Sequence, residues 1–211
     1  TLLGGALIQF AASDPATTAV QIYRSMAAAL DRELDAVGAP IAVTPGQSYS
    51  TALGDTTRQN LIAGGSLDSA GSWSLGTGWT ISGGAAAHAA GTASTLSQTV
   101  ALTSGKYYRI GYDVLTISGS TVRAQLAGST IRAGTAVAVA GTVADRIQAV
   151  SDGTGIAVRA EAATVATIDN IRAYLETDAC LAQGTHYVWL EPQNADGLPS
   201  PVSGPFTIII T

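Results

Sequence analysis

The stretch TIDNIRAYLETDACLAQGTHYVWLEPQNADG, Thr167 to Gly197, reads as two endings laid end to end. TIDNIRAYLE has the form of a strand that closes one β-domain, and GTHYVWLEPQNADG has the form of a strand and turn that close another. In the second, Tyr187 and Trp189 share one side of a strand, while Val188 and Leu190 share the other. Only one domain start is evident upstream, NLIAGGSLDSAGSW from Asn60. The second ending therefore needs its other half elsewhere in the chain.

Working outward to the N-terminus, LIQFAAS (7–13) and TAVQIYRS (18–25) alternate with period two, the pattern of half-buried strands. APIAVTPGQSYSTAL (39–53) returns to strand character around the turn Pro45-Gly46. Between them MAAALDRELDAVG (26–38) is rich in Ala, Leu and Glu and is the best local helix candidate, with a decorated turn as the alternative. From Asn60 the composition shifts to Gly and Ser. TASTLSQTVAL, KYYRIGYDVLTIS, TVRAQLAGSTIRAG, TAVAVAGTVADRIQAVSD, GIAVRAEAA and TIDNIRAYLE then follow at short, regular spacing, separated by turn signals such as Ser118-Gly119 and Asp152-Gly153. Short strands so spaced predict a sandwich or barrel. AVAVAGTVA carries nothing larger than Val and predicts a thinly packed or edge strand.

The bulk numbers agree. The 211 residues are 46% apolar, enough for a real core, but only 12% charged and 6% aromatic. Such a chain suits short strands with small side chains rather than helix bundles. A formal charge of −5 and a pI near 4.8 leave no basic face for nucleic acid. No apolar run is long enough for a membrane-spanning helix. The single Cys180 excludes an internal disulfide and reads as a small buried hydrophobe. The abrupt opening TLLGGALIQF predicts a piece of a longer protein.

Two resemblances follow from these residues. LAQGTHYVWLEPQNADGLPSPVSGPFTIII resembles the last two strands of a fibronectin type III domain: Leu181, Gly184 and Tyr187 match the Leu-x-x-Gly-x-x-Tyr corner, and NADGLPSP matches the loop after it. The front half of that domain is at the N-terminus, where VQIYRS resembles its third strand. The segment between resembles the carbohydrate-binding-module-like jelly rolls of phage tail proteins, through NLI, GWTISGGAAAHAAG, LSQTVALTSGKYYRIGYDV and the closing TIDNIRAYLE. The expected fold is all-β: a fibronectin type III-like sandwich from residues 1–58 and 178–211, interrupted by an inserted jelly roll over residues 59–177. Insertion at an exposed loop is physically cheap. In this fold class the corner Tyr is buried and its hydroxyl bonds back to nearby backbone, which sets the expectation for Tyr187.

Candidate sites divide by chemistry. Sugars stack apolar faces on aromatic rings, so Trp73, Trp79, Tyr107 and Tyr112 are the ligand-binding candidates. The setting SAGSWSLGTG predicts an exposed loop and puts Trp73 first. GWTIS looks like the entry to a strand, which turns Trp79 inward. Tyr107 and Tyr108 are adjacent and must face opposite sides. Related jelly rolls carry a structural calcium between first and last strands, so the resemblance implies Asp169, Asn60 and Asp68 as candidate ligands; the alternative is an Asp fixing a turn by local hydrogen bonds. His88 and His186 lack the companions that nucleophilic catalysis needs, and Asp31, Glu33 and Asp35 read as a solvated face. No enzyme is expected.

The resemblance implies a structural and adhesive segment of a phage-like tail tip, spike or fibre protein, extracellular on the virion. Its partners would be other tail subunits, its own copies in a homo-oligomer and host-surface glycan. A purely architectural decoration and the accessory domains of a secreted bacterial carbohydrate-processing enzyme are the alternatives.

Overall fold

The computed structural model describes residues 4–56 and 60–211. Every regular element among them is a strand. In chain order these are β1 (Gly5–Ala11), β2 (Ala19–Ser25), β3 (Ile41–Ala42), β4 (Ser48–Gly54), β5 (Ser74–Leu75), β6 (Trp79–Ser82), β7 (Ala85–His88), β8 (Ser94–Leu102), β9 (Tyr107–Ser118), β10 (Val122–Gly128), β11 (Arg132–Ala133), β12 (Gly141–Gln148), β13 (Gly153–Ala160), β14 (Val165–Leu175), β15 (Gly184–Gln193) and β16 (Ser203–Ile210). The protein is all-β, as the alternating runs require. It divides into two compact units, one from Thr1–Thr57 with Thr177–Thr211 and one from Arg58–Glu176.

In the first unit β16, β15, β2 and β3 form one sheet and β1 pairs with β4 in another. The β15–β2 pairing sets Trp189 opposite Tyr23 and Leu190 opposite Ile22. Ile22, Leu53, Leu181, Val188 and Ile210 make the core, flanked by Ile8, Phe10, Ile41 and Ile208. The places where the chain leaves and re-enters this unit are held together. Thr177 Oγ1 donates to Asp55 Oδ2 at 2.7 Å, and the Gly4 carbonyl accepts from both Asp55 N and Leu181 N.

Two expectations about this unit need correction. Residues 26–40 form bends and turns, the decorated-turn alternative in place of the helix. Asp31 accepts from the Glu33 and Leu34 amides, and Asp35 Oδ2 accepts from Asp31 N. Carboxylates that close on local amides compete with helical hydrogen bonding. The segment is then drawn to the β2 edge by Arg24 N to Asp35 O and Val37 N to Ile22 O. The second correction is Tyr187. It is half-buried, shares the outward side with Trp189 at 6.3 Å between rings, and its hydroxyl has no hydrogen-bond partner among the described residues. The corner bond comes from the preceding residue: His186 is fully buried, with Nε2 on the Ala182 carbonyl at 2.9 Å and Nδ1 facing Arg24 Nη1 at 3.1 Å. Leu181 is buried and Gly184 opens β15, as a corner demands, but the polar side chain that turns inward is the histidine.

The second unit packs two five-stranded sheets face to face, in the orders β11-β10-β13-β8-β5 and β12-β9-β14-β7-β6. Alternate residues of both fill the core: Leu96, Val122, Ala124, Leu126, Ile156 and Val158 from one, Trp79, Tyr108, Ile110, Tyr112, Val114 and Ile168 from the other. The core is built largely from Val, Ala and Ile, so its few rings provide much of the filling volume. The start and end of this unit meet at Leu61 N, which donates to the Ala173 carbonyl. Residues 136–140 are largely exposed and lead into β12, an edge strand.

Candidate functional site

The sequence candidates do not converge on one surface. Trp73 is buried at 8% exposure, with its indole N–H donating to the Gly64 carbonyl at 3.0 Å, so the exposed loop expected for it is not found. The Gly- and Ser-rich segment folds back over the core and takes the indole with it. Trp79 points inward, as its strand setting implied, and lies 5.1 Å from the His88 ring. Tyr112 is wholly enclosed; burial first, and then the Asp145 carboxylate, pushes its hydroxyl well above the ordinary tyrosine range. Tyr107 alone of the four faces outward, and the Arg146 guanidinium covers its ring at 3.6 Å.

The three calcium candidates are engaged with the chain itself. Asn60 Oδ1 accepts from Ile62 N at 3.1 Å and from Ala173 N at 2.9 Å, stapling the start of the unit to β14. Asp169 Oδ1 accepts from Asn170 N, at a bulge where Asn170 takes a positive φ of 53°. Asp68 Oδ2 accepts from Ser66 Oγ. Among the described residues no group of three or more His, Cys, Asp or Glu side chains gathers to hold a metal.

The outward faces of the two sheets differ in kind. On β12-β9-β14 the charges satisfy one another. Glu176 Oε2 accepts from Arg109 Nε at 3.0 Å and from Arg146 Nε at 2.7 Å, and its Oε1 accepts from Arg146 Nη2. Those hydrogen bonds, that of Arg146 foremost, hold the Glu176 carboxyl below its ordinary range. Asp113 accepts from Thr142 Oγ1 and Asn170 Nδ2, and Arg172 lies against Gly111, donating to the Asn170 carbonyl. Within this network Arg172 Nε is left buried without a hydrogen-bond partner among the described residues.

The face of β11-β10-β13-β8-β5 is open. With Val122, Ala124, Leu126, Ile156, Val158 and Leu96 turned inward, their alternates Arg123, Gln125, Ala127, Gly155, Ala157, Arg159, Thr95, Ser97 and Thr99 stand outward. The register arranges them in three rows across the strands. Gln125 is opposite Ala157, Ala157 opposite Ser97, and Ser97 opposite Ser74; Arg123 is opposite Arg159, and Arg159 opposite Thr95; Ala127 is opposite Gly155, and Gly155 opposite Thr99. Gln125 and Ala157 are only 8% and 5% exposed although neither faces the core. Their neighbours therefore rise above them, and the face is hollowed into a trough at this row. Five strands make it about 19 Å across.

Its polar groups are unspent. The Gln125 amide and the Ser74, Thr95, Ser97 and Thr99 hydroxyls have no side-chain hydrogen-bond partner among the described residues. The Gln125 polar atoms are also not sealed from solvent, unlike Tyr112 Oη and Asp145 Oδ2. At the end row Glu161 Oε1 accepts from Arg123 Nη2 at 2.6 Å and from Arg159 Nε at 3.2 Å. A floor of Ala and Gly, bordered by amide, hydroxyl and guanidinium groups, offers apolar contact below and hydrogen bonds at the sides. Polyhydroxylated rings need that combination. Gln125, Arg123 and Arg159 are not among the residues that the sequence singles out. The available signal was TVRAQLAG, where large polar residues alternate with Val, Ala and Leu.

No protein-family model matches the chain, and no curated protein matches it. Among solved structures it is similar to the carbohydrate-binding module TmCBM61 in complex with β-1,4-galactotriose, at 20% identity and a TM-score of 0.30 over 44% of this chain and 70% of that one. It is also similar to the N-terminal cellulose-binding domain of Cellulomonas fimi β-1,4-glucanase C, at 17% identity and a TM-score of 0.31 over 50% of this chain and 84% of that one.

Proposed function

We propose that the chain is a non-enzymatic adhesion segment of a phage-like tail tip, spike or fibre, and that its second unit binds host-surface glycan in the trough of β11-β10-β13-β8-β5. The observation that carries this reading is Gln125, a buried, outward-facing amide with no partner. Its polar atoms reach solvent, so a ligand hydroxyl can pair with the amide without breaking a bond within the protein. The strand order β16-β15-β2-β3 opposite β1-β4 supports a fibronectin type III-like spacer for the first unit. Other tail subunits and further copies of the chain are the structural partners on this reading. One module binds weakly, and useful adhesion comes from many copies acting at high effective concentration.

The test is amide chemical-shift mapping of the chain with host-surface oligosaccharides. Shifts confined to residues 95–99, 123–127 and 155–159, and abolished by Gln125→Ala, are expected. Shifts centred on the Arg172 face, or none with any oligosaccharide, would overturn the reading. One observation favours the architectural alternative: no aromatic ring of the second unit, among the described residues, belongs to the exposed class. Absence of shifts is the result that alternative requires.

A further inference from the structure

Resting on the glycan reading, we infer that the trough is built for an acidic sugar, its carboxylate seated at the Arg123–Arg159 row beside Gln125. Arg123 and Arg159 are direct cross-strand partners on β10 and β13. Like charges so placed repel and destabilise a sheet, and an anion beside them relieves the repulsion. Glu161 is the only acidic side chain paired with either among the described residues. Two guanidiniums against one carboxylate leave a net positive charge.

The donors tell the same story. A guanidinium carries five N–H donors in a planar fork. Arg123 uses Nη2 on Glu161, while its Nε is buried and has no partner. Arg159 uses Nε and Nη2 on the same carboxylate, at the long distances of 3.2 and 3.5 Å. The Nη1 groups of both have no hydrogen-bond partner among the described residues. Both side chains are a third exposed, so solvent and ligand reach them. The next outward residue along β10 is Gln125, with its free amide, and Thr95 closes the row across β8. Glu161 already bridges the two guanidiniums, so the incoming carboxylate would use the donors that Glu161 leaves over, one row along from Gln125 and Ala157. With a net charge of −5 and no basic run, the composition gives no sign of an anion site. The basic pair is made by strand pairing between residues 36 positions apart and is invisible to any local window.

The experiment uses the full chain and matched oligosaccharide pairs, each a uronic-acid chain and its carboxyl-reduced neutral form, followed by titration calorimetry and amide shifts. The uronate form is expected to bind about tenfold tighter at low salt, with the difference shrinking as salt screens the charges. Arg159→Gln and Arg123→Gln should remove most of the uronate form's advantage over the neutral form, together with its salt dependence. If either variant fails to fold, the wild-type comparison of the two forms and its salt dependence decide alone. Equal affinity for both forms, insensitive to salt, would overturn the acidic-sugar inference and leave the trough standing as a neutral-glycan site. Binding of neither form in any pair would overturn the glycan reading itself, and this inference with it.

Discussion

Replacing His186 should unsettle the first unit, while replacing Tyr187 should not. His186 is enclosed completely and makes two side-chain hydrogen bonds, to the Ala182 carbonyl at 2.9 Å and with Arg24 at 3.1 Å. His186→Leu keeps much of the volume but leaves both partners unmade. A buried partner left unsatisfied costs about 1–3 kcal/mol. Ala182 is exposed and Arg24 half-exposed, so water re-solvates part of each, and the low end applies. The expected loss is about 2–3 kcal/mol. Tyr187→Phe removes a hydroxyl that bonds to nothing among the described residues, and should change stability by less than about 0.5 kcal/mol, as at an ordinary surface position. The assay must resolve the two units, because Trp73 and Trp79 in one and Trp189 in the other blur a fluorescence transition. Amide signals of Val188 and Ile210, followed through a urea titration, report the first unit by itself. A larger loss for Tyr187→Phe than for His186→Leu would refute the assignment of the corner to the histidine.

Other outcomes follow from the same packing. Trp73→Ala should destabilise the second unit by about 3–5 kcal/mol, the range for a buried large-to-small change, whereas Gln125→Ala should leave its melting temperature unchanged or slightly raised while abolishing ligand-induced shifts. Gly65→Ala should cost about 2 kcal/mol or more by thermal melting, since an added Cβ would collide with the Ile171 carbonyl and backbone cannot yield as a side chain does. The Glu176 carboxyl titrates lower in the folded unit than its ordinary value of 4.5, so its contribution is full above that pH and is lost as pH falls through the depressed value. Melting temperature should drop on acidification below about pH 4.5, and Glu176→Gln should flatten part of that drop; an unaltered pH profile would contradict the network. Asn60→Ala should lower stability by about 1 kcal/mol equally with and without calcium, because Asn60 Oδ1 serves two backbone amides; a calcium-dependent difference in melting would restore the metal reading.

The all-β class was legible because period-two alternation is local. Strands such as AVQIYRS and SYSTALG carry their burial pattern within seven residues. What misled was equally local. MAAALDRELDAVG has helical composition, but two aspartates four residues apart close on nearby amides and the segment is drawn to a sheet edge. At the corner, the Leu-x-x-Gly-x-x-Tyr spacing placed the turn correctly, and the choice between His186 and Tyr187 came down to one residue of strand phase. A one-residue shift exchanges the two faces of a strand, and only the pairing with β2 and β16 fixes which side is inside.

The site was less legible than the fold, and the reason lies in where its information resides. Aromatic residues are conspicuous in a chain with few of them, so they drew attention; the same scarcity makes them indispensable to the interior. A sandwich cored by Val, Ala and Ile lacks volume, and Trp73, Trp79, Tyr108 and Tyr112 supply it. A binding face in such a protein has to be assembled from what remains: small residues for a floor and scattered Gln, Ser, Thr and Arg for contacts. None of these stands out singly. Gln125 acquires meaning only through its neighbours, Ala157 and Ala133 across the strands and Ser97 one strand beyond. The opposite face shows that outward polarity alone does not make a site. Arg109, Arg146 and Glu176 are bonded to one another, as Arg123, Arg159 and Glu161 are, and a ligand competes with such contacts, whereas at Gln125 it has none to break. An unpaired amide in a hollow imposes no such cost, and this difference in prior commitment, rather than in composition, separates a surface that can bind from one that only holds its sheet together.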